Sequence, residues 1–172
     1  NPDDRVVLFF SGHGDLQDKG RREFVFICAD YNAANAAATS LSSQELMEAL
    51  AKVPCQKVVL LDACHAGGVD PVRSLTALGQ GPVILASCAG SEKSLEHNQR
   101  ELGIFTCGIL DALDKEYERA AGKLANPLTA PQLLIYLRIR VRELLREENR
   151  PDFLMTPISF AEELEPLPLA RK

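Results

Sequence analysis

Four stretches of this chain are predominantly apolar over seven residues each, without the alternation of a strand that faces water on one side. Such runs are typical of β-strands covered on both faces, because those strands have no solvent-facing side chains. A weaker apolar run near the carboxyl end is a candidate for a last strand. The four predicted strands are Arg5 to Ser11, Glu23 to Ala29, Lys57 to Ala63 and Pro82 to Cys88, and the last is Met155 to Phe160.

Three other segments place apolar residues three and four positions apart, which is the spacing of one buried face of an α-helix. The first and third begin with capping boxes, in which a hydroxyl and a side chain three residues later satisfy free backbone N–H groups. Proline ends the first helix and glycine stops the second. The predicted helices run from Ser42 to Pro54, from Gly103 to Ala121 and from Pro131 to Glu148, and the capping pairs are Ser42 with Glu45 and Thr129 with Gln132.

Three polar segments connect these elements. Asp15 to Arg22 is compatible with a hairpin or a loop, Asp30 to Leu41 is a long loop, and Gly67 to Gly81 is a loop with room for a short helix. Strands that alternate with helices predict an α/β fold with a mostly parallel central sheet and helices on both faces. With 172 residues and no visible linker, the chain is expected to form a single domain over residues 1–172.

Composition narrows the classes of function. Hydrophobic residues make up 46% and charged residues 25% of the chain, as in folded globular proteins. The net charge of −5 gives no reason to expect nucleic acid as a partner. No apolar stretch approaches the length of a membrane span and no signal peptide is visible, so a cytoplasmic protein is expected.

The five cysteines are odd in number and include no Cys-x-x-Cys pair, which argues against a disulfide framework and against a zinc site. Reduced thiols agree with a reducing compartment. One cysteine stands out by its position after a strand, and the other four are interpreted as small hydrophobic core residues. These four are Cys28, Cys55, Cys88 and Cys107.

Two short motifs directly follow the first and third predicted strands. His13 stands in a Ser-Gly-His-Gly motif and Cys64 in an Asp-Ala-Cys-His-Ala-Gly motif. Ligands bind at the carboxyl edge of open α/β sheets, so an imidazole and a thiol are expected to face one crevice. Catalysis by a cysteine nucleophile requires such a pair. His13 is therefore the candidate acid/base and Cys64 the candidate nucleophile, and the backbone N–H groups of Gly14 and Cys64 are the candidate oxyanion donors.

With these motifs the chain resembles the caspase-like cysteine peptidases, and within them the metacaspases, paracaspases and related prokaryotic homologues. The caspase signature places a histidine about 50 residues before the cysteine, and here the two lie 51 residues apart. Leu85 to Cys88, followed by Glu96 and by Gly103 to Thr106, is similar to the family's next strand and helix. The resemblance implies a caspase-like three-layer sandwich and peptide-bond hydrolysis through a Cys64 thioester.

The residue two positions before the cysteine bears on specificity. Caspases have glutamine there and cut after Asp, whereas this chain has Asp62. A carboxylate at the floor of the first specificity pocket pairs with a guanidinium or ammonium group and repels an acidic side chain, so we expect cleavage after Arg or Lys. The alternative role for Asp62 is to cap the turn that follows it. Ser11 matches a pocket position of metacaspases and paracaspases, and Glu96 is a further pocket candidate with which Glu92 competes.

The chain departs from the family in two respects. The strands and helix that precede the histidine strand in the family are not found, so an N-terminal portion is expected to be missing. The loop after Cys64 is short and the acidic, calcium-responsive segment of many metacaspases is not evident, so no cofactor is expected and calcium activation stays open. Some relatives are activated by a cut between the cysteine strand and the next strand, and in this segment, Gly68 to Gly81, Arg73 is the one basic residue at which self-cleavage is expected. The expected partners are protein or peptide substrates, with fused regulatory domains outside this chain as a further option.

Two other classes of function are alternatives. A catalytically silent interaction module with the same fold is disfavoured by the intact pair of His13 and Cys64. A nucleotide-binding domain is disfavoured because no glycine-rich phosphate loop follows a predicted strand. His65 and His97 are interpreted as structural residues. Arg138, Arg142 and Arg146 form a stripe along one helix face. The glutamates interleaved with them make this a solvated, ion-paired face, and they are Glu143, Glu147 and Glu148.

Overall fold

The computed structural model describes residues 4–18, 22–69, 82–114, 128–160 and 168–170. Its elements are strands interspersed with helices. In order they are β1 (Arg5–Ser11), β2 (Gly14–Asp18), β3 (Arg22–Ile27), a 3-10 turn (Ala33–Asn35), α1 (Ala36–Thr39), β4 (Ser40–Ser42), α2 (Ser43–Ala51), β5 (Gln56–Asp62), β6 (Val83–Ala86), β7 (Glu96–His97), β8 (Leu102–Gly103), α3 (Ile104–Leu113), β9 (Leu128–Thr129), α4 (Ala130–Glu147), β10 (Ile158–Phe160) and β11 (Pro168–Ala170).

The central sheet has four strands in the order β1, β5, β6 and β10. The first three run parallel, and β10 lies antiparallel to β6. A second sheet of three antiparallel strands is formed by β2, β3 and β4. Two-stranded antiparallel pairs are formed by β7 with β8 and by β9 with β11.

Two hydrophobic cores lie on opposite faces of the central sheet. On one face Val58 and Leu60 of β5 pack with residues of α3 and α4. On the other face Val59 and Leu61 pack with α2 and with the second sheet, where the ring of Phe24 meets that of Phe26 edge to face at 4.9 Å. The alternation of neighbouring β5 residues between the two cores follows from the two-residue period of a strand. The result is the predicted α/β architecture, with a mostly parallel central sheet and helices on both of its faces.

The first strand departs from its prediction as a strand covered on both faces. Leu8 and Phe10 pack against the core that contains Phe24. Val7 and Phe9 point to the opposite face and are 53% and 48% exposed. The strand lies at the edge of the sheet and, among the described residues, no element covers this second face.

One connection forms the hairpin that was a predicted alternative, and other connections differ from their predictions. The segment from Asp15 to Arg22 belongs to a hairpin of β2 and β3, whose residues 19–21 are outside the description, and β3 pairs in the second sheet because β2 returns directly onto it. The segment from Asp30 to Leu41 is not a plain loop, since it holds a 3-10 turn, α1 and the start of β4. The second helix is described to Leu113, and residues 115–127, like residues 70–81 with Arg73, lie outside the described residues.

Capping explains where two helices begin. Ser42 accepts a hydrogen bond from Glu45 N and the Glu45 side chain returns to Ser42 N, as predicted for α2. Thr129 and Gln132 form the same arrangement ahead of α4. In the described ranges, no helix combines the length and the apolar character required to cross a lipid bilayer.

Candidate active site

The two motifs meet at the carboxyl edge of the central sheet. β1 and β5 are parallel neighbours in a register that pairs Ser11 with Asp62. Beyond the strands, Gly12 N donates to Asp62 O at 3.1 Å. His13 and Cys64 each follow their paired residue by two positions, so both residues leave the same edge of the sheet from neighbouring strands.

Cys64 occupies a tight turn after β5. Its Sγ is half-buried and donates to Ser94 O at 3.6 Å. The residue before it is bonded to Ser87, which directly follows β6: Ala63 N donates to Ser87 Oγ at 3.3 Å and Ser87 Oγ donates to Ala63 O at 3.1 Å. The residue after it, His65, has a φ of 61°, which residues with a Cβ adopt uncommonly. The turn therefore presents the thiol from a constrained backbone.

His13 is exposed at the surface. Its carbonyl accepts from Ile27 N at 3.0 Å and so is held by β3. The following Gly14 approaches the cysteine turn closely: a Cβ at this position would lie 2.8 Å from Cys64 O and 2.5 Å from the buried ring of Phe24. Only a residue without a side chain allows the His13 turn and the Cys64 turn to lie this close together.

Asp62 is buried at the amino end of α3. Its side chain belongs to a residue only 4% exposed, and it accepts from Ser94 Oγ at 2.7 Å, from Thr106 N at 2.9 Å and from Thr106 Oγ1 at 2.5 Å. Thr106 is the third residue of α3, and the N-cap residue of that helix, Gly103, has no side chain. Asp62 therefore caps a helix that is distant in sequence, rather than the turn that directly follows it, and places negative charge where the helix dipole favours it.

Two other pocket candidates lie next to Asp62. Ser11 is exposed and, through the strand register, shares the sheet face of Asp62. Glu96 is exposed and pairs with Gly103 across the β7–β8 hairpin. Since a Cβ on Gly103 would lie 2.0 Å from Asp62 Oδ2, the hairpin face that carries Glu96 is turned toward Asp62. The structure thus brings Ser11 and Glu96 to the surroundings of one buried carboxylate.

Glu92, the competing candidate, is engaged elsewhere. Its Oε2 accepts from Ala89 N at 3.1 Å and from Thr156 N at 2.7 Å, and its Oε1 accepts from Thr156 Oγ1 at 3.0 Å. These contacts join the loop after β6 to the segment before β10. Sequence reasoning missed Ser94 and Thr106 altogether, because a small hydroxyl residue carries no distinctive signal until its partner in space is known.

His97, Arg138 and Arg140 have structural partners. His97 is buried with its Nδ1 2.8 Å from Glu148 Oε1, which fastens the β7–β8 hairpin to the end of α4. Glu143 and Glu147 pair with Arg140 and not with the predicted stripe. Of that stripe, Arg138 donates from Nε to Pro157 O at 3.0 Å. In the described ranges no group of three or more His, Cys, Asp or Glu side chains is arranged to hold a metal ion.

All five cysteines are free, and two of them fulfil the prediction of core residues. Cys88 and Cys107 are buried, whereas Cys28 is exposed and Cys55 is half-buried. Burial raises the pKa of the Cys88 thiol, which donates to Ala63 O at 3.3 Å and to Glu92 O at 3.4 Å. Burial also raises the pKa of the Cys107 thiol. These two thiols therefore stay protonated over a wider pH range than an exposed cysteine.

Comparisons with known proteins address both the family and the fold. The family model described as the caspase domain matches residues 1–156. The crystal structure of protein GSU0716 from Geobacter sulfurreducens superposes with a TM-score of 0.55 over 95% of this chain and 68% of that one, at 16% sequence identity. That likeness supports the fold alone, because the identity is low. No match is found among the curated proteins.

Proposed function

Because this chain belongs to the caspase-domain family, we propose that it is a cysteine endopeptidase that hydrolyses peptide bonds after Arg or Lys. The observation that carries the proposal is the junction of the two strand ends. There Gly12 N donates to Asp62 O at 3.1 Å, and Gly14 lies against Cys64 O too closely to carry a side chain. This junction supports a joint role for the imidazole and the thiol that emerge beside it.

In the acylation step, the Cys64 thiol transfers its proton to His13, and the sulfur attacks the carbonyl carbon of the scissile peptide bond as a thiolate. The N–H groups of Cys64 and Gly14 stabilise the oxyanion that forms, since donors fixed in advance cost no reorganisation. The carbon–nitrogen bond then breaks and His13 donates a proton to the leaving amine. The products of this step are a thioester between Cys64 and the amino-terminal part of the substrate, and a released carboxyl-terminal fragment with a free amine.

In the deacylation step, water attacks the thioester carbonyl while His13 accepts one of the water protons. The carbon–sulfur bond breaks, the proton returns to the sulfur, and the carboxylic acid product leaves. The reaction balances with water alone, so the proposal requires no cofactor. The exposed position of His13 agrees with access of water to the imidazole.

The preference for a basic residue rests on Asp62. A carboxylate offers about four acceptor sites, and this one accepts three hydrogen bonds from Ser94 and Thr106. We propose that its negative charge and remaining acceptor site select the substrate's guanidinium or ammonium group, with Ser11 and Glu96 at the pocket wall. The partners would then be proteins or peptides with Arg or Lys before the cut. The five free thiols support a reducing compartment such as the cytoplasm.

Matched fluorogenic peptides that end in Arg, Lys or Asp test this proposal. We expect the full-length protein to turn over the Arg and Lys peptides alone, and Cys64→Ala and His13→Ala to lose that turnover. Cleavage after Asp would retain the Cys64 and His13 roles and overturn the role of Asp62. Absence of turnover in folded protein, with and without calcium, would instead favour a silent interaction module.

A further inference from the structure

Glu92 stands where three segments of the chain meet. Its carboxylate closes the turn after β6 by accepting from Ala89 N and reaches the segment before β10 by accepting from Thr156 N and Thr156 Oγ1. Its carbonyl faces the other way and accepts from His65 N at 2.9 Å. One residue thus links the segment that precedes the last strand of the sheet to the residue that follows the nucleophile.

The cysteine turn depends on this contact for its shape. His65 has left-handed backbone, which is uncommon for a residue with a Cβ and persists only where the surroundings hold it. Two hydrogen bonds to the 90–92 loop hold it, from His65 N to Glu92 O and from His65 Nδ1 to Gly90 O, each 2.9 Å long. Nδ1 carries the proton in the second bond, because a carbonyl oxygen only accepts. The peptide between Cys64 and His65 is therefore oriented by the loop.

We propose that Glu92 is a positioning residue for Cys64: its carboxylate fixes the 89–92 turn, and that turn, through His65, sets the direction of the Cys64 thiol and N–H. The inference rests on the proposed peptidase function. All three hydrogen bonds to the Glu92 carboxylate come from Ala89 and Thr156, and none comes from Ser94 or Thr106, the residues that contact Asp62. The proposal therefore gives Glu92 no part in contacting the substrate side chain. Glu96 is exposed, so its carboxylate is accessible to the substrate side chain.

The position of a nucleophile affects the rate more than the binding of substrate, since misplacement by about 1 Å costs on the order of 100-fold. For Glu92→Ala we expect kcat to fall by about 10- to 100-fold while KM changes by less than about threefold. Glu92→Gln should recover most of kcat, because its amide oxygen can accept from both backbone N–H groups and its NH2 can donate to Thr156 Oγ1. Thr156→Val keeps its N–H donor and should reduce kcat by less than about threefold.

Two glutamates serve as matched controls. Glu48 lies on α2, remote from the strand ends, and Glu48→Ala should leave kcat and KM unchanged. Glu96→Ala should change KM and the preference between Arg and Lys peptides, rather than kcat. A Glu92→Ala variant with the kinetic pattern of Glu96→Ala would overturn the positioning role, as would a Glu92→Ala kcat within twofold of the wild type. Equal loss of kcat in Glu92→Gln and Glu92→Ala would overturn the hydrogen-bond mechanism.

Amide hydrogen exchange at His65 tests, independently of peptidase activity, whether Glu92 holds the Cys64 turn in place. We expect faster exchange of the His65 amide in Glu92→Ala and near wild-type exchange in Glu92→Gln. The Glu92→Gln measurement keeps the test valid if the alanine variant folds poorly. Unchanged exchange in Glu92→Ala would overturn the proposal. If the wild type itself cleaves no peptide, the proposed function fails. Faster exchange in Glu92→Ala would in that case still support the role of Glu92 in holding the Cys64 turn.

Discussion

Ser94 Oγ donates a 2.7 Å hydrogen bond to Asp62 Oδ1, and Ser94 O accepts from Cys64 Sγ at 3.6 Å. One residue of the loop before the β7–β8 hairpin therefore contacts both the proposed pocket floor and the proposed nucleophile. A substrate whose basic side chain approached Asp62 would lie beside the same loop that contacts the thiol. Under the proposed function, substrate recognition and catalysis would share this loop.

Removal of the Ser94 hydroxyl tests this shared role. In Ser94→Ala the Asp62 carboxylate loses one of three donors, so its orientation toward a basic side chain becomes less defined. We expect kcat/KM for an Arg peptide to fall by about 3- to 10-fold, which corresponds to the typical net contribution of one hydrogen bond. Steady-state kinetics measure it, with Ser91→Ala in the same loop as the control. Equal kinetics in the two variants would exclude a role of the Ser94 hydroxyl.

Asp62 is expected to combine specificity with stability. Asp62→Ala leaves Thr106 N and two hydroxyl groups without their acceptor at the start of α3, so the free energy of unfolding should fall by about 2–4 kcal/mol. Urea unfolding followed by circular dichroism measures this change. Thr106→Ala, which keeps its backbone N–H, is the milder companion and should cost about 1 kcal/mol.

The milder Asp62→Asn variant separates the two roles of this residue. An amide oxygen can still accept from Thr106 N, so most of the helix cap should remain, but the negative charge is lost. We expect the preference for Arg over a neutral residue in matched peptides to fall by at least about tenfold. Retention of that preference in a folded Asp62→Asn variant would show that Asp62 is a helix cap without a role in specificity.

Gly14 is expected to tolerate no side chain. In Gly14→Ala the added carbon would lie 2.5 Å from the ring of Phe24 and 2.8 Å from Cys64 O, and the first of these neighbours is fully buried. The two turns must separate, so we expect a loss of activity on the order of 100-fold. Gly12→Ala is the control, because its Cβ would meet only the half-buried ring of Phe10, at 3.0 Å. Comparable activity in the two variants would argue against close apposition of the motifs.

Because the Cys88 thiol is buried, we expect the free energy of unfolding to decrease at alkaline pH. Burial raises the pKa of this thiol above its ordinary value of 9.0, so the folded state retains a proton that the unfolded state releases. The resulting stability is fully present below that ordinary value and is lost as the pH rises toward the folded pKa. Cys107 acts in the same direction. We expect the free energy of unfolding to fall less steeply between about pH 8 and about pH 10 in Cys88→Ala than in the wild type.

The matched control for this pH dependence is Cys28→Ala, since Cys28 is exposed. That variant should follow the wild-type slope. The comparison uses slopes and not absolute stabilities, because Cys88→Ala also loses the hydrogen bonds from Sγ to Ala63 O and Glu92 O. A Cys88→Ala slope equal to that of the wild type would mean that the Cys88 thiol does not titrate differently in the two states.

Much of the architecture could be predicted because it depends on local patterns. Apolar runs predicted β1, β5 and β6, and capping residues predicted the starts of α2 and α4. The second sheet was not predicted, because an apolar run shows that a strand such as β3 is buried but not which strand pairs with it. The same limit explains β1, whose run of apolar residues does not reveal that Val7 and Phe9 are exposed at the sheet edge.

For the site, the sequence by itself determined that a histidine and a cysteine leave strand ends 51 residues apart, since strand periodicity and motif spacing are properties of the chain. Only the tertiary structure decided what surrounds them. Asp62 contacts Thr106 across 44 positions and Glu92 contacts Thr156 across 64 positions. Each partner is an ordinary hydroxyl residue whose hydrogen bond depends on how sheet, loops and helices close in space, and no local pattern encodes that closure.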